Sequence, residues 1–156
     1  MRHLFVIRHG DHNWEDLSNR GRDQIEKIAE EIKAIVGEIH NGHYLLSSTA
    51  PRAEQSAQII AKAFGLEVFD KDERLWTSRG DDLYQKELEA IDGMIAPHKD
   101  KYDIVTIVTH YEVVGSYPLH VVKTLFGKDE SIRRPEKGEG VHLDIEARTY
   151  QLLPRD

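Results

Sequence analysis

Short apolar runs alternate along this chain with longer segments whose apolar residues recur at helical spacing. Two of the short runs are rich in aliphatic, aromatic and β-branched side chains, which predicts buried strands over 3–8 and 103–109. Apolar residues recur every three or four positions over 19–36. This spacing predicts an amphipathic helix with Ser18 as its N-cap.

The remaining predicted elements continue the alternation and end in a hairpin. Further helices are predicted over 51–64, 82–95 and 112–126. Further strands are predicted over 44–46, 66–69, 141–145 and 149–153. Alternating strands and helices favour an α/β fold, with helices on both faces of a mostly parallel sheet. The last two strands add a C-terminal antiparallel hairpin at its edge.

Length and composition narrow the class of protein. A chain of 156 residues can bury a sizeable core, so we expect a single domain over 1–156. The net charge of −7 disfavours a nucleic-acid partner, because neutralising phosphates needs clustered Lys and Arg. The absence of cysteine excludes a disulfide, a thiolate nucleophile and a cysteine-ligated metal. Neither a signal peptide nor a membrane-spanning run is predicted, so we expect a cytoplasmic protein without a membrane partner.

Two of the predicted strands end in residues that can carry chemistry. Arg8 and His9 follow the first apolar run, and His110 follows the run over 103–109. In open α/β sheets, ligands bind at the carboxyl ends of the strands. If these two strands are parallel neighbours, His9 and His110 face each other across one pocket.

Two arginines indicate an anionic ligand for that pocket. Arg52 lies in the first turn of a predicted helix, where free N–H groups and the helix dipole already favour an anion. Its guanidinium can bind two phosphate oxygens together, and Arg8 offers a second such group beside His9. This combination favours a phosphoryl group, whose charge is about −1.5 to −2 near neutral pH.

Histidine can serve as the nucleophile in such a pocket. A neutral imidazole attacks phosphorus in line and forms a phosphohistidine, which water then hydrolyses. We assign this role to His9, which lies between Arg8 and the flexible Gly10, while His110 and the arginines stabilise the transferring group. The arginines can neutralise the phosphoryl oxygens, so no metal or other cofactor is predicted.

Four sequence motifs occur together in a fixed order. They are Phe-Val-Ile-Arg-His-Gly at 5–10, Leu-Ser-Asn-Arg-Gly-Arg-Asp-Gln at 17–24, the Ser-Ser segment with Arg52 at 47–57, and Val-Thr-His at 108–110. This set resembles the histidine phosphatase superfamily, whose fold is phosphoglycerate-mutase-like. The resemblance implies a three-layer α/β/α sandwich and hydrolysis through phospho-His9. The short chain is most similar to the small, open phosphohistidine phosphatases of bacteria.

The chain departs from that family at the proton donor. Many members carry a glutamate in a Leu-x-Glu segment, but the corresponding Leu-Trp-Thr of this chain ends at Thr77. Glu73, Asp81 or Asp82 from the same loop can take over the role. Of these, Glu73 is our candidate proton donor.

Other side chains near the motifs leave two interpretations open. His12 can bind the phosphate or be a solvated loop histidine. Trp14 and Trp76 can line the pocket or pack in the core or at its rim. Tyr111 stands where glycine is common in the family.

The lack of a glutamate proton donor at position 77 affects which leaving groups the site favours. Cleaving an alkyl phosphate releases a basic alkoxide, for which a positioned acid is typically worth about 10²–10⁴-fold in rate. Imidazole and phenolate are far less basic leaving groups. The sequence therefore predicts a metal-independent phosphatase that acts on a phosphohistidine protein or on a small phosphorylated molecule.

Two alternative functions remain open from the sequence. One is a phosphotransferase of the phosphoglycerate-mutase type, which needs a closed pocket to shield the phosphoenzyme from water. The other is a module that binds phosphorylated ligands without turnover.

Overall fold

A computed structural model describes residues 1–155 and contains a six-stranded mixed sheet. The strands are β1 (His3–Arg8), β2 (His12–Asn13), β3 (Asp16–Leu17), β4 (His43–Ser47), β5 (Asp70–Lys71), β6 (Ile104–Thr109), β7 (Gly140–Asp144) and β8 (Thr149–Leu153). The helices are α1 (Asn19–Val36), α2 (Pro51–Ala63), α3 (Gln85–Ile95) and α4 (Tyr111–Thr124).

The strand order of the main sheet is β5-β4-β6-β1-β7-β8. The first four strands in this order are parallel, and β7 and β8 are antiparallel to their neighbours. The small strands β2 and β3 form a separate hairpin in the loop after β1. The predicted fold class, a mostly parallel sheet with a C-terminal antiparallel hairpin, is confirmed.

The side chains of β1 show how the three layers form. Leu4 and Val6 point into a core shared with α3 and α4. Phe5 and Ile7 point to the other face, into a core shared with α1 and α2. Because successive side chains of a strand alternate between faces, one uninterrupted apolar run can supply both cores.

The predicted helix over 19–36 is confirmed together with its cap. The Ser18 hydroxyl accepts the Gly21 N–H at 3.0 Å, which satisfies one of the free donors of the first turn. At the other end, Gly37 takes a φ of 72° and closes α1.

The predicted strand over 66–69 is wrong. The edge strand β5 begins at Asp70 and pairs with the last two residues of β4. The Leu66 N–H instead bonds to the Ala61 carbonyl at 2.8 Å and closes the end of α2. Leu66 and Phe69 pack against the core shared with α1 and α2, so their apolar character reflects packing and not strand pairing.

The loop after β1 packs backbone to backbone on the first turn of α1. A Cβ at Gly10 would lie 2.5 Å from the Gly21 carbonyl oxygen, and one at Gly21 would lie 1.9 Å from the Asp11 carbonyl oxygen. No larger residue fits either position without a backbone shift. These two glycines therefore hold the chain in place directly after His9.

A buried histidine pair links β1 to the antiparallel edge of the sheet. Nδ1 of His3 lies 2.9 Å from Nε2 of His142, and the His142 ring stacks on Phe5 at 4.6 Å between centroids. Gln151 lies 3.0 Å from the other nitrogen of His142. Burial lowers the pKa of both histidines, to about 4 for His142.

We expect the free energy of unfolding to fall as the pH drops from about 6.5, the ordinary histidine pKa, towards 4. The folded chain holds the His142 pKa at about 4, so the unfolded chain binds protons first and is favoured by acid. The loss of unfolding free energy due to the His3–His142 pair is on the order of 1–3 kcal/mol. Denaturant unfolding between pH 7 and pH 4 measures it.

The variant His142→Gln isolates this contribution. Glutamine keeps hydrogen-bonding groups at the position but cannot be protonated, so its stability should change less over the same pH range. An equally steep decline in the variant would assign the effect to other groups.

Candidate active site

The predicted site residues meet at the carboxyl ends of β1 and β6. Arg8 pairs with Thr109 in the parallel ladder, so His9 and His110 directly follow neighbouring strands. Their ring centroids are 4.9 Å apart, with an angle of 61° between the ring planes. From the first turn of α2, Nε of Arg52 lies 3.3 Å from Nε2 of His9.

His9 has a defined tautomer in this arrangement. Nδ1 lies 2.9 Å from the Gly10 carbonyl, which can only accept a hydrogen bond, so Nδ1 carries the proton. Nε2 then holds a lone pair and accepts the Arg52 Nε–H. Burial lowers the pKa of His9 to about 3, and the Arg52 and Arg8 charges act in the same direction. The ring is therefore neutral at physiological pH.

His110 is likewise a neutral imidazole. Its Nε2 lies 2.6 Å from the Ser48 hydroxyl. Burial, followed by the charges of His9 and Arg52, lowers the pKa of His110 to about 2. Ser48 is not the N-cap of α2, which is Ala50. The position of Ser48, directly after β4, was the signal that it belongs to the site.

Each arginine of the site lies over an aromatic ring. The guanidinium carbon of Arg52 is 5.2 Å from the Trp76 ring centroid, and that of Arg8 is 5.5 Å from the Tyr111 ring centroid. Nη1 of Arg8 donates to the Pro135 carbonyl at 3.3 Å. Within residues 1–155, the buried Nε of Arg8 has no hydrogen-bond partner. Arg8 can therefore still donate to a bound oxyanion.

A buried carboxylate close to the site was missed by sequence reasoning. Glu112 is 4% exposed, and its Oε2 accepts the Gly80 N–H at 3.2 Å. Its Oε1 has no partner among the residues that the structure describes. Burial lowers the pKa of Arg8, and Glu112 is the strongest of the charges that oppose this shift. The available signal was its position two residues after His110, in the first turn of α4.

His12 lies at the edge of the catalytic pair. Its ring centroid is 5.2 Å from that of His9, and its Nδ1 lies 2.7 Å from the Trp14 carbonyl. Trp14 has a φ of 56°, and 93% of its surface is exposed. Trp14 is therefore exposed and not packed in the core, while His12 is close to the His9 ring.

The three carboxylates proposed as substitutes for the missing acid lie in or near the segment that carries Trp76. Glu73 begins a short 3₁₀ turn, its side chain is exposed, and its carbonyl accepts the Trp76 N–H at 3.2 Å. Asp81 is also exposed, and Asp82 forms an ion pair with Arg134.

Two cavities flank the catalytic residues, and each has more cationic than acidic side chains. The cavity on the side of Arg8 has a volume of about 520 Å³, and its charged lining residues are Arg8, Arg20, Lys27, Lys137, Asp11, Glu136 and Glu139. The cavity on the side of Trp76 has a volume of about 450 Å³ and is lined by Trp76, Thr77, Arg74, Arg79, Lys86, Glu87 and Ala90.

Two further findings concern the described chain as a whole. Over residues 1–155, no group of three or more His, Asp or Glu side chains is arranged to hold a metal ion. In the same range, no helix combines the length and the apolarity needed to cross a bilayer.

Residues 4–76 match the family model of the histidine phosphatase superfamily, branch 1. This range contains Arg8, His9, Arg52 and Glu73, and it ends before His110. No curated protein matches the chain by sequence.

Solved structures share the fold over nearly the whole chain. The protein histidine phosphatase SixA in complex with tungstate is 20% identical with a TM-score of 0.67, and the match covers 96% of this chain and 93% of SixA. A mycobacterial glucosyl-3-phosphoglycerate phosphatase is 17% identical with a TM-score of 0.66, covering 97% of both chains. Phosphoglycerate mutase from Plasmodium falciparum is 19% identical with a TM-score of 0.59, covering 99% of this chain and 88% of the mutase.

At these identities the solved structures establish the fold, and the family model adds the sequence evidence for residues 4–76. These comparisons confirm the predicted resemblance to this family and the predicted phosphatase class. Residues 4–76 of the chain therefore carry the sequence pattern of the histidine phosphatase superfamily, branch 1.

Proposed function

We propose that the protein is a metal-independent phosphatase that works through a phosphohistidine intermediate on His9. The observation that carries this proposal is the lone pair on Nε2 of His9, which lies beside Arg52 and next to the His110 ring. A neutral, buried imidazole is ready to attack phosphorus without first losing a proton.

The reaction has two steps. In the first, Nε2 of His9 forms a bond to phosphorus while the bond from phosphorus to the leaving group breaks, and the leaving group takes up a proton. In the second, water attacks phospho-His9, the P–N bond breaks, and inorganic phosphate leaves with the neutral imidazole restored. Both steps are in-line displacements that depend mainly on positioning and electrostatic stabilisation.

The arginines and His110 stabilise the phosphoryl group in both steps. Arg52 and Arg8 supply fixed positive charge at the equatorial oxygens. His110 is neutral in the free site, but a bound dianion favours its protonated form. Ser48 orients the His110 ring through the 2.6 Å contact. His12, in contact with the His9 ring, is positioned to add a hydrogen bond to the phosphate.

Phosphohistidine on a protein, or a small phosphomonoester, is the proposed substrate. The position of the usual acid is held by Thr77, so a leaving group of low basicity is favoured. The SixA structure, which has the same fold, is described as a protein histidine phosphatase. We propose Glu73 as proton donor for the more basic leaving groups, since it lies in the short turn that leads to Trp76.

Two other functions fit the same pocket. A phosphotransferase would pass the phosphoryl group from His9 to a second substrate, and the fold shared with a phosphoglycerate mutase supports this candidate. A binding module would hold the phosphate without turnover. Release of inorganic phosphate separates the three, because a transferase releases little and a module releases none.

We expect His9→Ala to lower the rate of p-nitrophenyl phosphate hydrolysis by at least about 10³-fold, because the nucleophile is lost. His98→Ala is the matched control, since that ring stacks on Tyr44 near the amino end of β4. Rapid quenching of the wild-type protein should trap phosphate that is stable in alkali and lost in acid.

The same assay tests metal independence. Wild-type activity should be unchanged after exhaustive chelation. A loss that added divalent metal restores would contradict the mechanism. Tight phosphate or vanadate binding without turnover would favour the binding module instead.

We expect long-range ¹⁵N–¹H spectra to show His9 as the Nδ1–H tautomer at pH 7, because the Gly10 carbonyl requires that proton. The ring should stay neutral to below pH 5, since burial holds its pKa at about 3. His9→Gln assigns the signal by its disappearance. Titration near 6.5, the ordinary histidine value, would contradict the buried neutral nucleophile.

We expect Glu73→Gln to lower the rate for an alkyl phosphate by about 10²-fold and to leave p-nitrophenyl phosphate nearly unchanged. Only a basic leaving group needs a proton in the transition state. Glu67→Gln, at another exposed carboxylate, is the control. Glu112→Gln gives the same comparison for the buried carboxylate. Equal effects of Glu73→Gln on both substrates would exclude Glu73 as the donor.

A further inference from the structure

Two aromatic rings, Trp76 and Tyr111, stand beside the catalytic residues and are partly exposed. Trp76 is 41% exposed and Tyr111 is 38% exposed. Both contact the arginines that would hold the phosphate. Exposed aromatic surface at the rim of a binding site is costly in water and is commonly used for ligand contact.

The two rings are not equally available to a ligand. Tyr111 lies between two guanidinium groups, with Arg134 at 3.9 Å and Arg8 at 5.5 Å from its ring centroid. Arg134 also donates to the Tyr111 carbonyl. The Tyr111 ring therefore already interacts with two arginines of the protein and is less available to a ligand.

Trp76 contacts a catalytic residue and still keeps free surface, since it is 41% exposed. Its ring stacks on His110 at 5.1 Å between centroids, with 23° between the planes. An indole is larger than an imidazole, so His110 and Arg52 do not cover it. The remaining part of Trp76 forms a wall of the cavity of about 450 Å³.

We propose that Trp76 is a stacking surface for the leaving group and selects substrates whose phosphoryl group is attached to a planar aromatic ring. This inference rests on the proposed function, because it concerns the leaving group of that reaction. A phosphoryl group on His9 lies beside His110, and a ring attached to it lies within reach of the indole that stacks on His110. The substrate class is an aryl phosphate or a phosphorylated imidazole.

Charge around the cavity is compatible with this class. Arg79 forms an ion pair with Glu87, and the Arg74–Asp72 ion pair lies at the same rim. Lys86 also lines the cavity. Two of the three cationic side chains that line the cavity are therefore paired with carboxylates, which suits an uncharged aromatic ring.

Binding of phosphonates tests this inference without any effect of leaving-group reactivity. Phenylphosphonate and cyclohexylphosphonate have similar size, but only the first has a planar π-system. The wild-type protein should bind phenylphosphonate about 3- to 10-fold more tightly, the range expected of an aromatic stack. Isothermal calorimetry measures both dissociation constants, and methylphosphonate gives the affinity of the phosphate site alone.

Variants then assign the preference to Trp76. Trp76→Leu should bring the ratio of the dissociation constants for cyclohexylphosphonate and phenylphosphonate close to one. Trp76→Phe should keep part of the preference for phenylphosphonate. The ratio stays informative even if the substitution disturbs Arg52 or His110 and so weakens the binding of all three phosphonates. Tyr84→Leu is the matched control, because that exposed ring also lies under an arginine, Arg79, at 4.2 Å.

A wild-type ratio near one, or a ratio that survives in Trp76→Leu, would overturn the inference. If p-nitrophenyl phosphate is hydrolysed in that case, the proposed function stands and only the role of Trp76 fails. If the ring preference is present but no ester is turned over, the proposed function fails and the stacking surface stands. If no phosphonate binds and p-nitrophenyl phosphate is not hydrolysed, both proposals fail.

Discussion

The site depends on two imidazoles buried side by side at the ends of neighbouring parallel strands. Paired strands lie about 4.7–4.9 Å apart, and the His9 and His110 ring centroids are 4.9 Å apart. Protonating either ring would place a positive charge in a poorly solvated site beside Arg8 and Arg52, so both stay neutral. A bound dianion favours protonation of the site, because each nearby positive charge then stabilises the ligand. The charges of the site therefore favour a dianionic ligand.

Fixed contacts around the rings keep their roles distinct. The Gly10 carbonyl holds the proton of His9 on Nδ1, and the Ser48 hydroxyl meets His110 at Nε2. The Gly10–Gly21 backbone contact holds the loop that supplies this carbonyl. Nε2 of His9 therefore presents its lone pair beside Arg52, whereas Nε2 of His110 is hydrogen-bonded to Ser48. Two identical side chains differ in function because their neighbours differ.

Much of this arrangement could be predicted from the sequence. Two apolar runs that each end in histidine predict adjacent strands and a shared pocket, and the register of Arg8 with Thr109 agrees. The prediction of a strand over 66–69 was wrong because apolar residues that pack over the end of a helix give the same short apolar run as a strand. Glu112 and Ser48 were missed because their importance comes from contacts with distant segments, Gly80 and His110 respectively. The contacts themselves are not visible in the sequence, and the only signal was the position of Ser48 directly after β4 and of Glu112 two residues after His110.

The segment from Glu73 to Thr77 contains both the proton donor and the aromatic surface that we propose for the leaving group. The sequence resemblance leads us to expect an acid at the position of Thr77, and the residue before it is the tryptophan that stacks on His110. A donor acid helps most when the leaving group is strongly basic. A ring surface helps when the leaving group is planar, and planar imidazole and phenolate are also the weakly basic ones. A threonine at the expected acid position and the stacking surface that we propose on Trp76 therefore favour the same substrates.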